Sequence, residues 1–151
     1  MAFVTDSDVA AGFISHWLST TALNAIIPYT SIYRGRLPDG YTPPYCRLTV
    51  TEGSREFFSG PAYLTEFDVQ CECYTCADPP VAGTLRAALD AAFMASSTDN
   101  TAGGLAVSNA TVIFTEALAG ARSAPTGTRI NNVDVVKVVA TFRITLQGNR
   151  G

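Results

Sequence analysis

The sequence predicts a single α+β domain over residues 1–151, with two helices packed on one face of a four- to five-stranded, mainly antiparallel sheet. Three observations lead to this prediction. The chain has 151 residues, of which 47% are hydrophobic, as in a folded domain of ordinary size. Two segments show helical spacing of apolar residues, and several others alternate apolar with polar residues. The order helix, strands, helix, strands favours helices that cover one side of a sheet.

The first helix is predicted near the N-terminus and must end before Pro28. Asp6 or Ser7 is expected to cap it, because a short polar side chain there can accept a hydrogen bond from a free backbone N–H. Its apolar residues fall on one stripe, which we expect to be buried. The stripe consists of Val9, Phe13, Ile14, Trp17 and Leu18.

The second helix is marked more clearly at its start. Asp78 is the expected N-cap, and Pro79 and Pro80 suit the first turn. A polar loop, Ser96 to Gly104, follows it. The predicted buried stripe is Val81, Leu85, Ala88, Leu89, Ala92 and Phe93.

Period-two alternation predicts the strands. Cys46 to Thr51, Phe67 to Cys73 and a closing strand from about Val133 to Leu146 each have one apolar and one polar face. Ser31 to Arg36 and Ala110 to Ala117 are predicted as further strands. We expect Gly53-Ser54 to turn the chain into a short arm at Arg55 to Phe58. The shared polar face would carry Arg47, Thr49, Thr51, Asp68, Gln70, Glu72, Lys137, Thr141, Arg143 and Thr145.

The charge content argues against one class of function. Only 15% of residues are charged, and the net charge is −3, whereas a protein that neutralises nucleic-acid phosphates shows a basic excess. Lys137 is the only lysine among the ten basic residues. Arginine is enriched at protein interfaces and lysine is depleted there. The composition therefore points to a surface covered by other protein.

The expected location of the chain follows from what its sequence lacks. Residues 1–10 carry two aspartates and no basic start of a signal peptide, and no apolar stretch approaches the roughly 20 residues that a membrane span needs. We expect a chain made and folded in a cytoplasm, without a membrane partner, where its four cysteines stay reduced.

The cysteines are the first candidates for chemistry. Cys71, Cys73 and Cys76, with the distant Cys46, could supply four thiolates to zinc. Structural zinc sites use pairs separated by two to four residues at a turn, a spacing that Cys73 and Cys76 meet, whereas Cys46 is distant from the others. Because Cys71 and Cys73 lie on the same predicted strand face as Phe67 and Val69, we expect buried thiols and no metal.

No catalytic group is nominated by the sequence. His16 has no identifiable nucleophile, so it is predicted to be solvated or to face a partner. Glu66, Asp68 and Glu72 share a strand face, but cross-strand pairing with Arg47, Lys137 and Arg143 accounts for them better than glycoside hydrolysis does. Neither glycine-rich phosphate motif is present. We expect no enzyme activity and no cofactor.

The layout resembles the tail terminator, or tail completion, proteins of long-tailed bacteriophages. The residues that carry the resemblance lie in order along nearly the whole chain, although none is a catalytic signature. They are Trp17-Leu18 at the end of a helix, Ile32 to Arg36, Pro38-Asp39-Gly40, Pro43 to Leu48, the strand Phe67-Asp68-Val69-Gln70, the helix after Pro79-Pro80 and the closing strand.

The resemblance implies a ring, usually of six subunits, on the head-proximal end of the tail tube. Such a ring stops tube polymerisation and joins the tube to a neck or head–tail connector protein, while DNA passes through its channel without specific binding. The implied location is the tail or neck of a virion. Two alternatives stay open: another neck or connector protein, and a monomeric ligand-binding α+β domain.

Two stretches rich in turn formers and arginine are predicted to be mobile loops that meet a partner, residues 34–44 and 120–132. The sheet's polar face is the other predicted contact. Together these predictions give a partner-binding set of Arg34, Arg36, Arg122, Arg129, Arg47, Asp68, Glu72, Lys137 and Arg143.

Overall fold

The structure, a computed structural model, describes residues 3–35, 43–57, 62–75, 79–93, 105–130 and 133–149. The fold is α+β, as predicted. The described elements are α1 (Asp6–Ser19), α2 (Thr21–Ile26), a 3-10 turn (Tyr29–Ser31), β1 (Ile32–Arg34), β2 (Tyr45–Phe57), β3 (Ala62–Thr75), α3 (Pro79–Phe93), β4 (Ala110–Ile130) and β5 (Val133–Asn149). None of the helices within these ranges is long and apolar enough to cross a bilayer.

Helix α1 is capped by Thr5 and not by Asp6 or Ser7. The Thr5 hydroxyl accepts a hydrogen bond from the Asp8 N–H at 3.2 Å, and the Asp8 carboxylate accepts one from the Thr5 N–H at 2.9 Å. This reciprocal pair satisfies two backbone donors at once, which a cap at either predicted position would not do. Leu18 was also wrongly placed in the buried stripe. It is 45% exposed, because it lies about 100° around the helix from the buried Trp17.

Two short helical segments between α1 and β1 were not predicted. The N–H of Thr20 donates to the carbonyls of His16 and Trp17, which ends α1, and α2 begins at the next residue. The Trp17 indole then donates to the Ile27 carbonyl at 2.8 Å. One side chain therefore fixes the path of the chain between the first helix and the sheet.

Helix α3 begins at Pro79, as predicted, and buries its apolar side from Ala82 onwards. Leu85, Leu89, Ala92 and Phe93 are buried, and Ala88 is half-buried. The predicted cap Asp78, the side chain of Val81 and the predicted loop 96–104 lie outside the described residues.

The strands form one five-stranded sheet in the described part of the chain, in the order β1-β2-β3-β5-β4. The β1–β2 pair is parallel and the other three pairs are antiparallel, so the sheet is mainly antiparallel, as predicted. The predicted alternation in β2, β3 and β5 is confirmed. The side chains buried on the inner face include Cys46, Leu48, Phe67, Val69, Cys71, Cys73, Val138, Ala140, Phe142, Ile144 and Leu146.

Strands β2 to β5 all extend beyond their predicted bounds, and two of them, β2 and β4, run through segments that were predicted as a turn and a loop. β2 runs through Gly53-Ser54 to Phe57, so this dipeptide is not a turn; it lies at a register shift opposite β3, between Glu52 and Arg55. β4 continues past Ala117 to Ile130, so most of the predicted loop 120–132 is a strand paired with β5. Both corrections have one cause: irregular pairing breaks the period-two pattern while the backbone stays extended.

The core lies between the inner face and the helices. The rings of Phe13 in α1 and Phe93 in α3 stack with centroids 3.8 Å apart, and Phe142 of β5 lies 5.5 Å from Phe93. α1 contacts β2 and β3, whereas α3 contacts β4 and β5. The helices therefore leave the opposite face of the sheet uncovered.

Candidate assembly surface

The uncovered face of the sheet, which we call the outer face, carries most of the predicted polar residues. Cross-strand register places Asp68 opposite Arg143 and Gln70 opposite Thr141, and it places Arg47 opposite Glu72. Side chains opposite each other in a pleated sheet point to the same side. The prediction that β3 and β5 present one polar face together is therefore confirmed.

One end of the outer face is rich in carboxylates. Arg143 donates from Nε to Asp68 Oδ1 at 2.9 Å and lies 3.9 Å from a Glu66 oxygen. Glu116 of β4 stands opposite Arg143 in register. The hydrogen bond to Asp68 and the neighbouring carboxylates raise the pKa of the Arg143 guanidinium. We call these four residues the anionic end, since they comprise three carboxylates and one cation.

The other end is rich in cations. Lys137 Nζ lies 3.6 Å from Glu72 Oε2, which also accepts a hydrogen bond from the Tyr74 hydroxyl at 3.2 Å. Arg47 stands opposite Glu72 on β2, and Arg122 stands opposite Val139 in the same row of the sheet. Both arginines are exposed, and neither forms an ion pair with any residue that the structure describes. We call Arg47, Glu72, Arg122 and Lys137 the cationic end.

An aromatic cleft of about 210 Å³ adjoins the cationic end. Tyr45 and Tyr74 stack there with ring centroids 4.9 Å apart, and Lys137 Nζ lies 5.8 Å from the centre of the Tyr74 ring. Burial raises the pKa of both tyrosine hydroxyls, so they remain protonated hydrogen-bond donors at neutral pH. The cleft is lined by Pro43, Tyr45, Tyr74, Thr126, Thr128, Ile130 and Val135.

The far side of this cleft is a two-stranded extension that we call the arm, Thr126–Ile130 of β4 with Val133–Val135 of β5. It projects past the last residue of β3, since Thr75 pairs with Val136. Arg129 lies here and pairs with Asp134 at 3.1 Å, both side chains being more than 60% exposed. An exposed pair of this kind contributes little stability. The arm thus presents Arg129 and Asp134 to solvent on one side, while its other side, with Ile130 and the buried Val135, lines the cleft.

The predicted arginines near residue 34 are divided by the limits of the described chain. Arg34 ends β1 and lies 3.3 Å from Asp6 of α1. Arg34 and Arg47 line one shallow groove of about 370 Å³ beside β1, so the structure brings these two predicted residues together. Arg36 and most of the predicted loop 34–44 lie outside the described residues.

The groups considered for chemistry lie away from the outer face. Cys46, Cys71 and Cys73 are fully buried, as the alternation predicted for Cys71 and Cys73. Burial raises the pKa of Cys71, whereas hydrogen bonds from Cys71 and Cys73 lower that of Cys46. Cys76 falls outside the described ranges, and the residues within them hold no cluster of three or more candidate metal ligands.

The prediction that His16 is solvated or faces a partner was wrong, because the side chain is buried within the chain itself. His16 is only 8% exposed, and its Nε2 lies 2.8 Å from the Ala92 carbonyl oxygen of α3. Its ring also meets Phe93 edge-on, with centroids 5.2 Å apart. The helical stripe alone placed His16 at the margin of the core, and only the position of α3 decides that it is covered.

Two features of the surface were missed. Glu116 is brought to Arg143 by a register that shifts at four places along β4, which no sequence periodicity reveals. The Tyr45–Tyr74 stack follows from the cross-strand pairing of β2 with β3. An aromatic residue at the start of one strand and at the end of the next was the only available signal.

The sequence matches no protein-family model and no curated protein. The fold is similar to that of a solved chain from the virion of a native gene transfer agent particle, with a TM-score of 0.55 and 16% identity over 96% of each chain. A second solved chain aligns over 93% of this chain and 95% of its own length at 19% identity, with a TM-score of 0.45. Only the first likeness is strong enough to establish a shared fold.

Proposed function

We propose that this chain is a structural component of a phage-like particle, and specifically a tail terminator. In this role a ring of subunits, six in the usual case, caps the head-proximal end of a tail tube, stops its growth and joins it to the neck. The observation that carries the proposal is the likeness to a virion chain of a gene transfer agent over 96% of both chains. The more specific assignment, to a tail terminator, is supported by the element order and by the Pro43 to Leu48 strand opening, both of which resemble the terminator family.

The proposed mechanism is recognition without bond making. The polar groups considered for catalysis are engaged in structural contacts: His16 contacts the Ala92 carbonyl, and Asp68 and Glu72 pair with Arg143 and Lys137. A surface of paired charges and tyrosines suits protein contacts, where tyrosine and arginine supply much of the binding energy. DNA would pass through the ring without specific contact, in keeping with the net charge of −3.

The proposed partners are other copies of this chain, the tail tube protein and a neck protein. We assign the outer face residues Arg47, Asp68, Glu72, Lys137 and Arg143, together with Arg122, to contacts between subunits. Arg129 in the arm, and Arg34 with Arg36 near β1, are assigned to the tube or neck. The aromatic cleft between the arm and the outer face would be covered once a neighbour is bound.

The decisive experiment is a tube-capping assay. The tail tube protein of the same particle is polymerised with and without this chain, and tube lengths and end structures are measured by electron microscopy. We expect shorter tubes that carry a ring at one end, and a mass in solution that identifies the number of subunits. Unlimited tubes without bound protein, together with a chain that stays monomeric, would refute the terminator assignment.

A further inference from the structure

The outer face is divided into two ends of opposite charge. At the cationic end, Arg47, Arg122 and Lys137 surround Glu72, and at the anionic end, Glu66, Asp68 and Glu116 surround Arg143. Glu72 and Asp68 are four residues apart on β3, which is roughly 14 Å at about 3.4 Å per residue. That separation exceeds the Debye length of about 8 Å at physiological salt, so the two ends act as distinct charges.

The surplus charge at each end is left without a partner in the single chain. Lys137 is engaged by Glu72 and Asp68 by Arg143, which leaves Arg47 and Arg122 as cations without an ion pair among the described residues. Glu66 lies 3.9 Å from a guanidinium that Asp68 already occupies at 2.9 Å. Glu116 is opposite the same guanidinium but makes no ion pair with a described residue. Each end therefore has two charges that a partner can neutralise.

We propose that the occupant of this face is a second copy of the chain, whose anionic end lies against the cationic end of the first. This inference rests on the proposed ring, in which each copy meets one neighbour with its cationic end and the other neighbour with its anionic end. Because the contact joins two different ends, it is heterologous and repeats from subunit to subunit until the ring closes. The two ends carry equal and opposite surplus charge on one face, so each copy supplies the complement of the other. A nucleic acid would satisfy only the cationic end and would be repelled from the anionic end beside it.

The cleft strengthens this choice of occupant. Tyr45 and Tyr74 are half-buried at the margin of the cationic end. Tyrosine and arginine are among the residues that contribute most binding energy at protein interfaces. The charges would then fix register and orientation, and the tyrosines would supply the apolar contact. The opposite end offers a matching apolar group in Phe114, which stands next to Glu116 on the outer face opposite Thr145.

Charge exchange tests the proposal directly. One variant reverses the cationic end with Arg47→Glu and Arg122→Glu, and a second reverses the anionic end with Glu66→Lys and Glu116→Lys. These four positions avoid the Arg143–Asp68 and Lys137–Glu72 pairs, so folding is checked by circular dichroism and is expected to be retained. Self-association is measured by sedimentation velocity, both alone and on preformed tubes.

We expect each double variant to associate at least about ten-fold more weakly than the natural chain, because like charges would face each other. An equimolar mixture of the two variants should recover association, and so should a single chain that carries all four reversals. Arg86→Glu is the matched control, since Arg86 is exposed on α3, away from the outer face. This control should associate like the natural chain.

Four results would overturn the inference. The first is unchanged association of both double variants, and the second is loss of association without recovery in the mixture. The third is equal weakening by Arg86→Glu. The fourth is that the natural chain binds a short DNA duplex, and that Arg47→Glu with Arg122→Glu abolishes this binding while self-association persists. The proposed function would survive these results if the natural chain still caps tubes. Conversely, a natural chain that neither associates nor caps tubes would overturn the function itself.

Discussion

Strand β5 passes through two different environments. From Val138 to Leu146 its alternate side chains are at most 1% exposed against the helices, whereas in the arm Val133 is 38% exposed and Asp134 is also exposed. Both stretches are hydrogen-bonded to β4 in register. The comparison shows that alternation of apolar and polar residues indicates a sheet face that is covered by other elements, and that a strand can form without it.

The two regions are also held together differently. The central sheet is stabilised by apolar area removed from water, with Phe142 packed on Phe93 and Phe13. The arm relies on local polar contacts: the Thr126 hydroxyl donates to the Val135 carbonyl at 2.8 Å and accepts from the Thr128 N–H at 3.2 Å. Since a hairpin with little packed apolar surface is marginal in water, and Val135 is the arm's one buried side chain among the described residues, the arm should open far more readily than the centre.

Thiol reactivity gives the largest expected difference between the two regions. In a Cys76→Ser background, Cys46, Cys71 and Cys73 are fully buried and should react with a disulfide reagent only after unfolding. A thiol introduced by Thr128→Cys in the arm should react at least about 10³-fold faster, because global opening costs several kcal/mol. Similar rates for native and introduced thiols would show that the centre opens as easily as the arm.

Shortening one side chain of β5 in each region should lower the free energy of unfolding by amounts that differ by several kcal/mol. Phe142→Ala removes a ring that is 1% exposed and should lower the free energy of unfolding by about 3–5 kcal/mol. Val133→Ala in the arm should change it by less than about 0.5 kcal/mol. Urea titration measures both, and a comparable loss in the two variants would contradict the division.

Replacing a glycine with alanine in each region should lower the free energy of unfolding by an intermediate amount. A Cβ at Gly148 would collide with the Tyr63 ring, so Gly148→Ala should destabilise the sheet by about 1–3 kcal/mol. Gly127 in the arm has open space but a φ of +80°, so Gly127→Ala strains only the local backbone. We expect a cost of about 1 kcal/mol or less, because the arm can relax. If Gly148→Ala were neutral in thermal unfolding, the close approach of Tyr63 would not hold.

Excision of the whole arm should leave the central sheet folded, with only a modest effect on stability. Replacing residues 126–135 with Asn-Gly joins Pro125 to Val136, which already pair in register, by a favoured two-residue turn. The free energy of unfolding should fall by about 2 kcal/mol or less, mostly from loss of the buried Val135. Under the proposed function this variant would fold and fail to cap tubes. A loss of several kcal/mol would mean that the arm belongs to the same cooperative unit as the centre.

The fold was predictable where burial imposes a repeat. Phe67, Val69 and Cys71 alternate because α1 and α3 cover one face, and Leu85 with Leu89 repeats because α3 has one face on the sheet. The extension of β4 to Ile130 was not predictable, because its side chains from Arg122 to Arg129 are exposed and its register shifts at four places. The spacing Thr5-x-x-Asp8 is that of a capping box and could have predicted the Thr5 cap, but the neighbouring Asp6 and Ser7 are also good capping residues.

The candidate surface was predictable in composition and less so in arrangement. The pairing of Asp68 with Arg143 followed from the two alternating strands, whereas Glu116 entered only through the irregular register of β4. Side chains that are polar on an uncovered face obey no packing constraint. Their grouping into a cationic and an anionic end therefore emerges only when the strands are aligned.

The Tyr63 ring joins two distant parts of the chain. Its hydroxyl accepts a hydrogen bond from the Val4 N–H at 2.9 Å, and its ring fills the space beside Gly148 on the neighbouring strand. Residues 4 and 148 therefore meet across a single side chain, and a short linker would connect them. A circular permutant joined there and reopened between Ile130 and Val133, at the exposed end of the arm, would keep every strand pair of the central sheet. Such a permutant would display new termini beside the aromatic cleft, where a fused reporter could signal its occupation during assembly.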